Sequence, residues 1–446
     1  MRGIKLGKGI VLFLSVLAFG LFLSACTDDE ASESPGTTDP GTAGSGTTEP
    51  ETPTTEEQIE ISIMWWGGDE RHARTIEVID LFMVQYPHIT VNYDFAGWDD
   101  YWTALNVQAA GGNLPDIIQM DGTRINEFAD NNLIIGLNDL IAAGTIDLSN
   151  VDPSFQETVQ IEGENMAISL GANGFAMVYN MELAAELNFE FTPELTWDEW
   201  EAFLTETRAE RGDDFYGWGF GAEYEVFNVY VRDAGYAMYG SEGLGFDRAV
   251  LVEFFEMLSR FNDTRIAVTP ERDENVEGRE LLHNEVILSE MFASNQIIAA
   301  QAEVEAELGL ALLPRIEGGR GGNWLRSSMG FSITTQSQEQ EAAALFIDFF
   351  TNNLEANEIL GAERGAPISS VVRDHLADVV DPVVVKTFDI LPVILEHSSP
   401  SDPLPPAGQT EVRLAFLRAV EQLRFNVATP EQAADYVISA ASSALQ

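Results

Sequence analysis

Between Ile59 and Met120 the apolar residues switch period four times. Ile59, Ile61 and Ile63 alternate with Glu60 and Ser62 as a strand does, and Ile76, Ile79, Met83 and Tyr86 then recur at helical spacing until Pro87 stops the run. Ile89, Val91, Tyr93 and Phe95 alternate again; a helical stretch around Trp102 to Ala110 ends at Gly111-Gly112, and Ile117-Ile118-Gln119-Met120 reads as a short buried strand. This strand, helix, strand, helix, strand rhythm predicts an α/β fold built on a parallel sheet.

In such sheets ligands sit where loops leave the carboxyl ends of the strands. Trp65 and Trp66 lie just past the first strand, Trp98 with Asp99 and Tyr101 past the second, and Asp121 past the third. Flat aromatic rings can stack on the C–H faces of a sugar while carboxylates accept its hydroxyls, so this edge suits a carbohydrate. Gly67 and Gly68 would let the backbone approach a ligand closely. For one of the Trp65 and Trp66 pair the alternative is plain packing in the core. Asp69 and Arg71 begin the first helix, whose N–H groups favour ligand oxygens, although Asp69 serves as well as a helix cap.

The N-terminus reads as an address. Arg2, Lys5 and Lys8 precede the apolar run Ile10 to Leu23, which is short for a membrane span and flanked like a secretion signal. Leu23-Ser24-Ala25-Cys26 resembles the lipobox of bacterial lipoproteins, in which residues 1–25 are removed and Cys26 is lipidated; a chance cysteine closing an ordinary signal peptide is the alternative. Cys26 is the chain's only cysteine, so no intramolecular disulfide can form. From Thr27 to Glu56 there is no Val, Ile, Leu, Met, Phe, Tyr or Trp, so residues 26–56 read as a lipid attachment and a disordered acidic tether spanning roughly 30 Å. A long tether fits a Gram-positive envelope, with the protein on the extracellular face of the membrane.

The 446 residues carry 73 acidic against 23 basic groups, a net charge of −50, and three of the basic ones lie in the leader. Nucleic acid and bare anionic membrane are poor partners for such a surface. The folded remainder is long enough for two ordinary domains or one large one. The five histidines never pair at metal-ligand spacing, "GSEGLG" and "GGRGGN" lack the context of nucleotide loops, and there is no nucleophile elbow, so neither metal nor cofactor is expected. The many acids leave an exported glycoside hydrolase or lyase open, since hydrolysis needs one suitably spaced carboxyl pair. A surface glycan adhesin is a further alternative.

Six stretches, in this order, carry a resemblance: "AAGGNLPDIIQMDG" (109–122), "GANGFAMVYNMELAAELNFEFTPELTWDEW" (171–200), "VILSEMFASNQ" (286–296), "LALLPRIEGG" (310–319), "MGFSITTQSQEQEAAALFIDFFTNNLEANEILGAERGAPI" (329–368) and "TPEQAADYV" (429–437). Thr196 with Glu199, and Thr429 with Pro430 and Gln432, mark helix starts in them, and Ala342, Leu345, Phe346 and Phe349 share one helical face. The chain resembles the family 1 extracellular solute-binding proteins, the sugar-binding lipoproteins of ABC importers.

That resemblance implies a two-lobe periplasmic-binding-protein-like α/β fold of class II type, closing on its ligand about hinge crossovers. By similarity the crossings fall near Ser169 to Ala172, Glu290 to Phe292 and Gly330 to Thr334. The N-lobe is then 57–170 plus 292–331, and the C-lobe 171–291 plus 332–446. It also implies a monomer without catalytic residues that takes a carbohydrate and delivers it to ABC permease subunits. Asn173 matches a polar position that faces ligand in relatives. Trp218 and Tyr224, in "YGWGFGAEYE", are aromatic candidates on a loop, or else bury against a neighbouring helix. Trp324 and Arg326, in "GGRGGNWLRSS", face the cleft or decorate the surface. Glu363 and Arg364 precede a turn that lies near the cleft in relatives.

Overall fold

The computed structural model describes residues 58–446 other than 220, 242, 274–279, 401, 403, 404, 407 and 446. The leader, Cys26 and the tether lie outside the described residues. The main sheet has eight strands: β1 Ile59–Trp66, β2 Ile89–Ala96, β3 Ile117–Met120, β4 Ile168–Asn180, β5 Gly217–Trp218, β6 Ile287–Ala293, β7 Leu308–Ala311 and β8 Leu325–Ile333. Their order is β2-β1-β3-β8-β4-β6-β5, with β7 paired to the end of β4. The predicted parallel unit is present as β1, β2 and β3, with helices Asp69–Gln85 and Trp98–Gly111 between the strands. The sheet as a whole is mixed, because β8 runs antiparallel to both β3 and β4.

Period-2 geometry settles the fate of the tryptophan pair. Successive side chains of a strand point to opposite faces. Ile61, Ile63 and Trp65 therefore enter one core with Val78, Phe82 and Phe346, while Met64 and Trp66 enter another with Tyr101, Trp102, Ile118 and Met120. Both sheet faces are covered, so a strand ending on two large apolar residues buries both.

β4 runs from one lobe into the other. Residues Ile168 to Gly174 of β4 pair with β8, and Phe175 to Tyr179 pair with β6. The second lobe has its own aromatic core, including Trp197, Trp200, Trp218, Phe227, Phe254 and Phe416. Gly171 makes this crossing possible: a Cβ there would lie 2.7 Å from the Arg364 carbonyl oxygen, and the next residue, Ala172, bridges to Ala366.

The chain is shared between the lobes differently from the expected ranges. Helix Ile297–Glu303 and β7 fall within 292–331 but belong to the second lobe, since β7 pairs with Met177–Asn180 and Ile297, Ala300 and Leu308 share a core with Ile287. Only β8 returns to the first lobe. Its register places Ile333 beside Ile117 deep in that lobe, so the next helix, Gln340–Asn352, must cover the first-lobe sheet, with Phe346 and Phe349 against Phe82. Within 332–446, helix Pro382–Glu396 packs on β7 and helix Ile297–Glu303, and helices Gln409–Arg424 and Pro430–Ala444 pack on the second lobe against helix Arg248–Asp263. The capping boxes at Thr196 and Thr429 are both formed. Among the described residues, no helix is long and apolar enough to cross a membrane, and no group of His, Cys, Asp or Glu is placed to hold a metal ion.

Candidate ligand-binding cleft

A cleft of about 550 Å³ opens beyond the carboxyl ends of β1–β3, where β4 and β8 pass between the lobes. Arg71, Glu363 and Arg364 come to it from the first lobe, Glu225 and Arg413 from the second, and Asn173, Phe175, Arg326 and Ser328 from the crossing strands. A smaller cavity of about 260 Å³ shares Arg326 and Ser328 and extends the cleft to Asp121, Thr158, Asn228, Arg232 and Trp324.

The first-lobe wall is a stack of arginines on a carboxylate. Arg71, on the first turn of its helix, binds Glu363 through Nε (2.9 Å to Oε2) and Nη2 (2.8 Å to Oε1), and its Nη1 donates to the Trp66 carbonyl. Behind it Arg364 donates from Nε to Gln119 Oε1 (3.1 Å) and from Nη2 to Thr75 Oγ1 (2.9 Å). Its Nη1 lacks a hydrogen-bond partner, and the side chain is almost wholly buried. Burial, aided by the like charge of Arg71 and opposed by Glu363, pushes its pKa down to about 9.

On the crossing strands, Arg326 is exposed with its guanidinium 5.3 Å from the centre of the Phe175 ring, and Phe175 in turn packs on Trp324 at 5.8 Å. Asn173 sits opposite Arg326 in the β4–β8 register, buried, with Oδ1 unpartnered. Arg232 anchors the far wall: it bonds Asp402 at 2.6 Å, three carbonyls and the Ser399 hydroxyl, and lies over Trp324. Asp233, next to it, accepts from Ile316 N and Gly321 N, so the glycine loop before Trp324 is tied down.

Of the residues singled out from the sequence, the cleft gathers Arg71, Asn173 and Arg326, and its extension adds Asp121 and Trp324. Asp121 also accepts from the backbone and hydroxyl of Thr123. Five others are core. Trp65 is fully buried and donates to His72 Nδ1 (3.1 Å). Tyr101 is fully buried with its hydroxyl on the Gln119 carbonyl (2.6 Å), and burial raises its pKa well above the ordinary value. Trp218 packs between Trp197 and Phe261, and Tyr224 lies on helix Glu223–Asp233, not on a loop, hydrogen-bonded to Tyr239. Burying a hydrophobic ring outweighs presenting it to solvent wherever a neighbour can cover it. Trp66 is buried under Trp98, which is edge-on to it at 5.0 Å and 45% exposed, and Asp69 is exposed in the first helical turn. Neither Trp98 nor Asp69 lines the two cavities described. Sequence reading did not find Phe175, Glu225, Arg232 or Arg413; each sits in an ordinary strand or helix pattern and reaches the cleft only through tertiary packing.

Two lobes, strands that pass between them and a polar cleft define a solute-binding architecture. The chain belongs to the bacterial extracellular solute-binding proteins, whose sequence profile matches residues 69–355. It is 23% identical over 334 residues to the maltotriose-binding protein of Pyrococcus abyssi, covering 72% of this chain and 69% of that one. Among solved structures, a family 1 extracellular solute-binding protein from Alicyclobacillus acidocaldarius superposes with a TM-score of 0.80 at 25% identity, covering 88% of this chain and 100% of the other. A periplasmic oligogalacturonide-binding protein from Yersinia enterocolitica shares the fold, with a TM-score of 0.73 at 21% identity over 86% of this chain and 98% of its own.

Proposed function

We propose that this protein captures an oligosaccharide outside the cell and delivers it intact to the permease of an ABC importer, held at the membrane by lipid on Cys26 and acting as a monomer. The observation that carries the reading is the composition of the cleft: side chains from both lobes meet there with an aromatic floor of Phe175 and Trp324 and a buried, unpartnered Asn173 Oδ1. A sugar offers what such a site lacks, hydroxyls to satisfy the orphaned acceptor and a C–H face for the rings. The relatives named for maltotriose and oligogalacturonide support the carbohydrate class. Contacts to both walls would make the closed state the favoured one once ligand is present.

The test is a melting-temperature screen of the purified protein against oligosaccharides, each mixture analysed afterwards by mass spectrometry. A ligand at a hundredfold over its Kd should add about 2.7 kcal/mol of stability. A shift with the sugar intact supports capture. Cleaved sugar would assign the cleft to a hydrolase or lyase, and binding only to long polymers would favour an adhesin.

A further inference from the structure

The cleft is positive in a protein that is otherwise strongly negative. The chain's net charge is −50, yet four arginines, Arg71, Arg326, Arg364 and Arg413, line the main cavity against two carboxylates, Glu225 and Glu363. Each of those carboxylates is paired, Glu363 by Arg71 at 2.8 Å and Glu225 through one oxygen by Arg413 at 3.4 Å, with Glu225 Oε2 left unpartnered. The four guanidinium charges outnumber the two carboxylates by two, and Glu363 is shared between Arg71 and Arg364. Arg364 is almost wholly buried, its Nη1 unpartnered and 3.7 Å from the nearest Glu363 oxygen. Arg326 is exposed to the cleft and pairs with no carboxylate among the described residues. Phe175 beneath it fixes its direction without neutralising it.

A buried charge short of counter-charge, as at Arg364, is costly, and it persists where a ligand of opposite sign completes it. We infer that the cargo is a carbohydrate bearing an anionic substituent (carboxylate, sulfate or phosphate) which Arg326 grips on the crossing strand while Asn173 and Ser328 take neighbouring hydroxyls. This rests on the reading of the cleft as a sugar site. A neutral sugar would satisfy Asn173 but leave both charges open. An anion held by Arg326 also lowers the electrostatic cost of buried Arg364, since both line the same cavity.

The decisive experiment is calorimetric titration of the purified protein with matched probes: trigalacturonate and its carboxyl-reduced neutral counterpart, maltotriose with its sulfated and phosphorylated derivatives, and citrate as an anion without a sugar. The expected result is that at least one anionic sugar binds about tenfold or more tightly than its neutral twin, the scale of a charge-assisted hydrogen bond. The three anions separate carboxylate, sulfate and phosphate as the source. Arg326→Gln should remove most of the preference with the melting temperature of the free protein unchanged, because the side chain is exposed, and Arg326→Lys should retain part of it. Equal or tighter binding of the neutral twins overturns the anionic assignment and leaves oligosaccharide capture standing. Citrate binding with no sugar bound overturns the carbohydrate reading, and an anionic preference unchanged in Arg326→Gln overturns the role of Arg326.

Discussion

The first lobe presents two kinds of surface at one edge of its sheet, and they differ in what they ask of a partner. The aromatic cluster of Trp66, Trp98, Tyr101 and Trp102 is closed by its own packing and carries no charge: ring centres lie 5.0–5.5 Å apart, Tyr101 has its hydrogen bond, Arg124 caps Trp102 at 4.6 Å, and one neutral donor, Trp102 Nε1, is left unpartnered. The arginine wall of Arg71 and Arg364 is incomplete, with one donor orphaned and one charge uncompensated. Aromatic density alone therefore marks a core as readily as a site, whereas unsatisfied polar groups in a cleft mark a place kept for a ligand.

Substitutions can sharpen or break this contrast. The largest effect on stability should come from Trp65→Ala, which empties a fully buried position and should cost about 3–5 kcal/mol in denaturant unfolding, with the ligand Kd unchanged in the fraction that remains folded. Arg364→Met should cost less, about 1–3 kcal/mol, by leaving Gln119 Oε1 and Thr75 Oγ1 without their donor, and it should also weaken sugar binding; a variant that binds normally would remove the arginine wall from the site. Glu363→Gln breaks a partly buried ion pair worth about 1 kcal/mol or less and frees Arg71, so titration should show tighter binding of an anionic sugar. Trp98→Ala should change stability by about 1 kcal/mol or less, because the ring is 45% exposed, and should leave affinity nearly unaltered; a tenfold loss would extend the site along the aromatic edge.

The smallest effect is one of pH. Burial lowers the pKa of His72, with Asp69 opposing, and its neutral Nδ1 accepts from buried Trp65. A depressed histidine pKa gives stability that is fully present above the unfolded value of about 6.5 and is lost as pH falls from there through the folded value. The melting temperature should therefore drop slightly below pH 6.5 by more than it does in His72→Phe, whose ring keeps the stack on Phe95; identical pH profiles for the two proteins would show that this contact does not titrate.

Local pattern carried the βαβ unit, the capped helices and the strand of "GFAMVYN", since alternation and helical spacing report which residues face a core. It could not say which core. Trp65 and Trp66 look alike in the sequence, and a two-residue period sends them to opposite faces of one sheet. The ranges of the lobes were illegible for a related reason: β7 is a four-residue apolar run and β8 a longer strand of mixed polarity, and only their registers against β4 show that the first stays in the second lobe and the second returns to the first. Arg71 and Glu363 are 292 positions apart, Glu225 and Arg413 are 188 apart, and no spacing rule joins either pair. Asn173, Arg326 and Arg364 were visible as polar residues beside crossings or turns, but their missing partners appear only when the chain is folded.

The central claim is that this cleft takes up an oligosaccharide without cutting it. The measurement that tests it most directly is calorimetric titration of the wild-type protein and of an Asn173→Ala, Arg326→Gln double variant with the best sugar from the thermal screen, followed by mass spectrometry of the recovered sugar. The account predicts one site per chain, intact sugar, and an affinity lowered about a hundredfold or more in the double variant, as expected for two lost polar contacts. Cleaved sugar, or binding undiminished in the double variant, would contradict it.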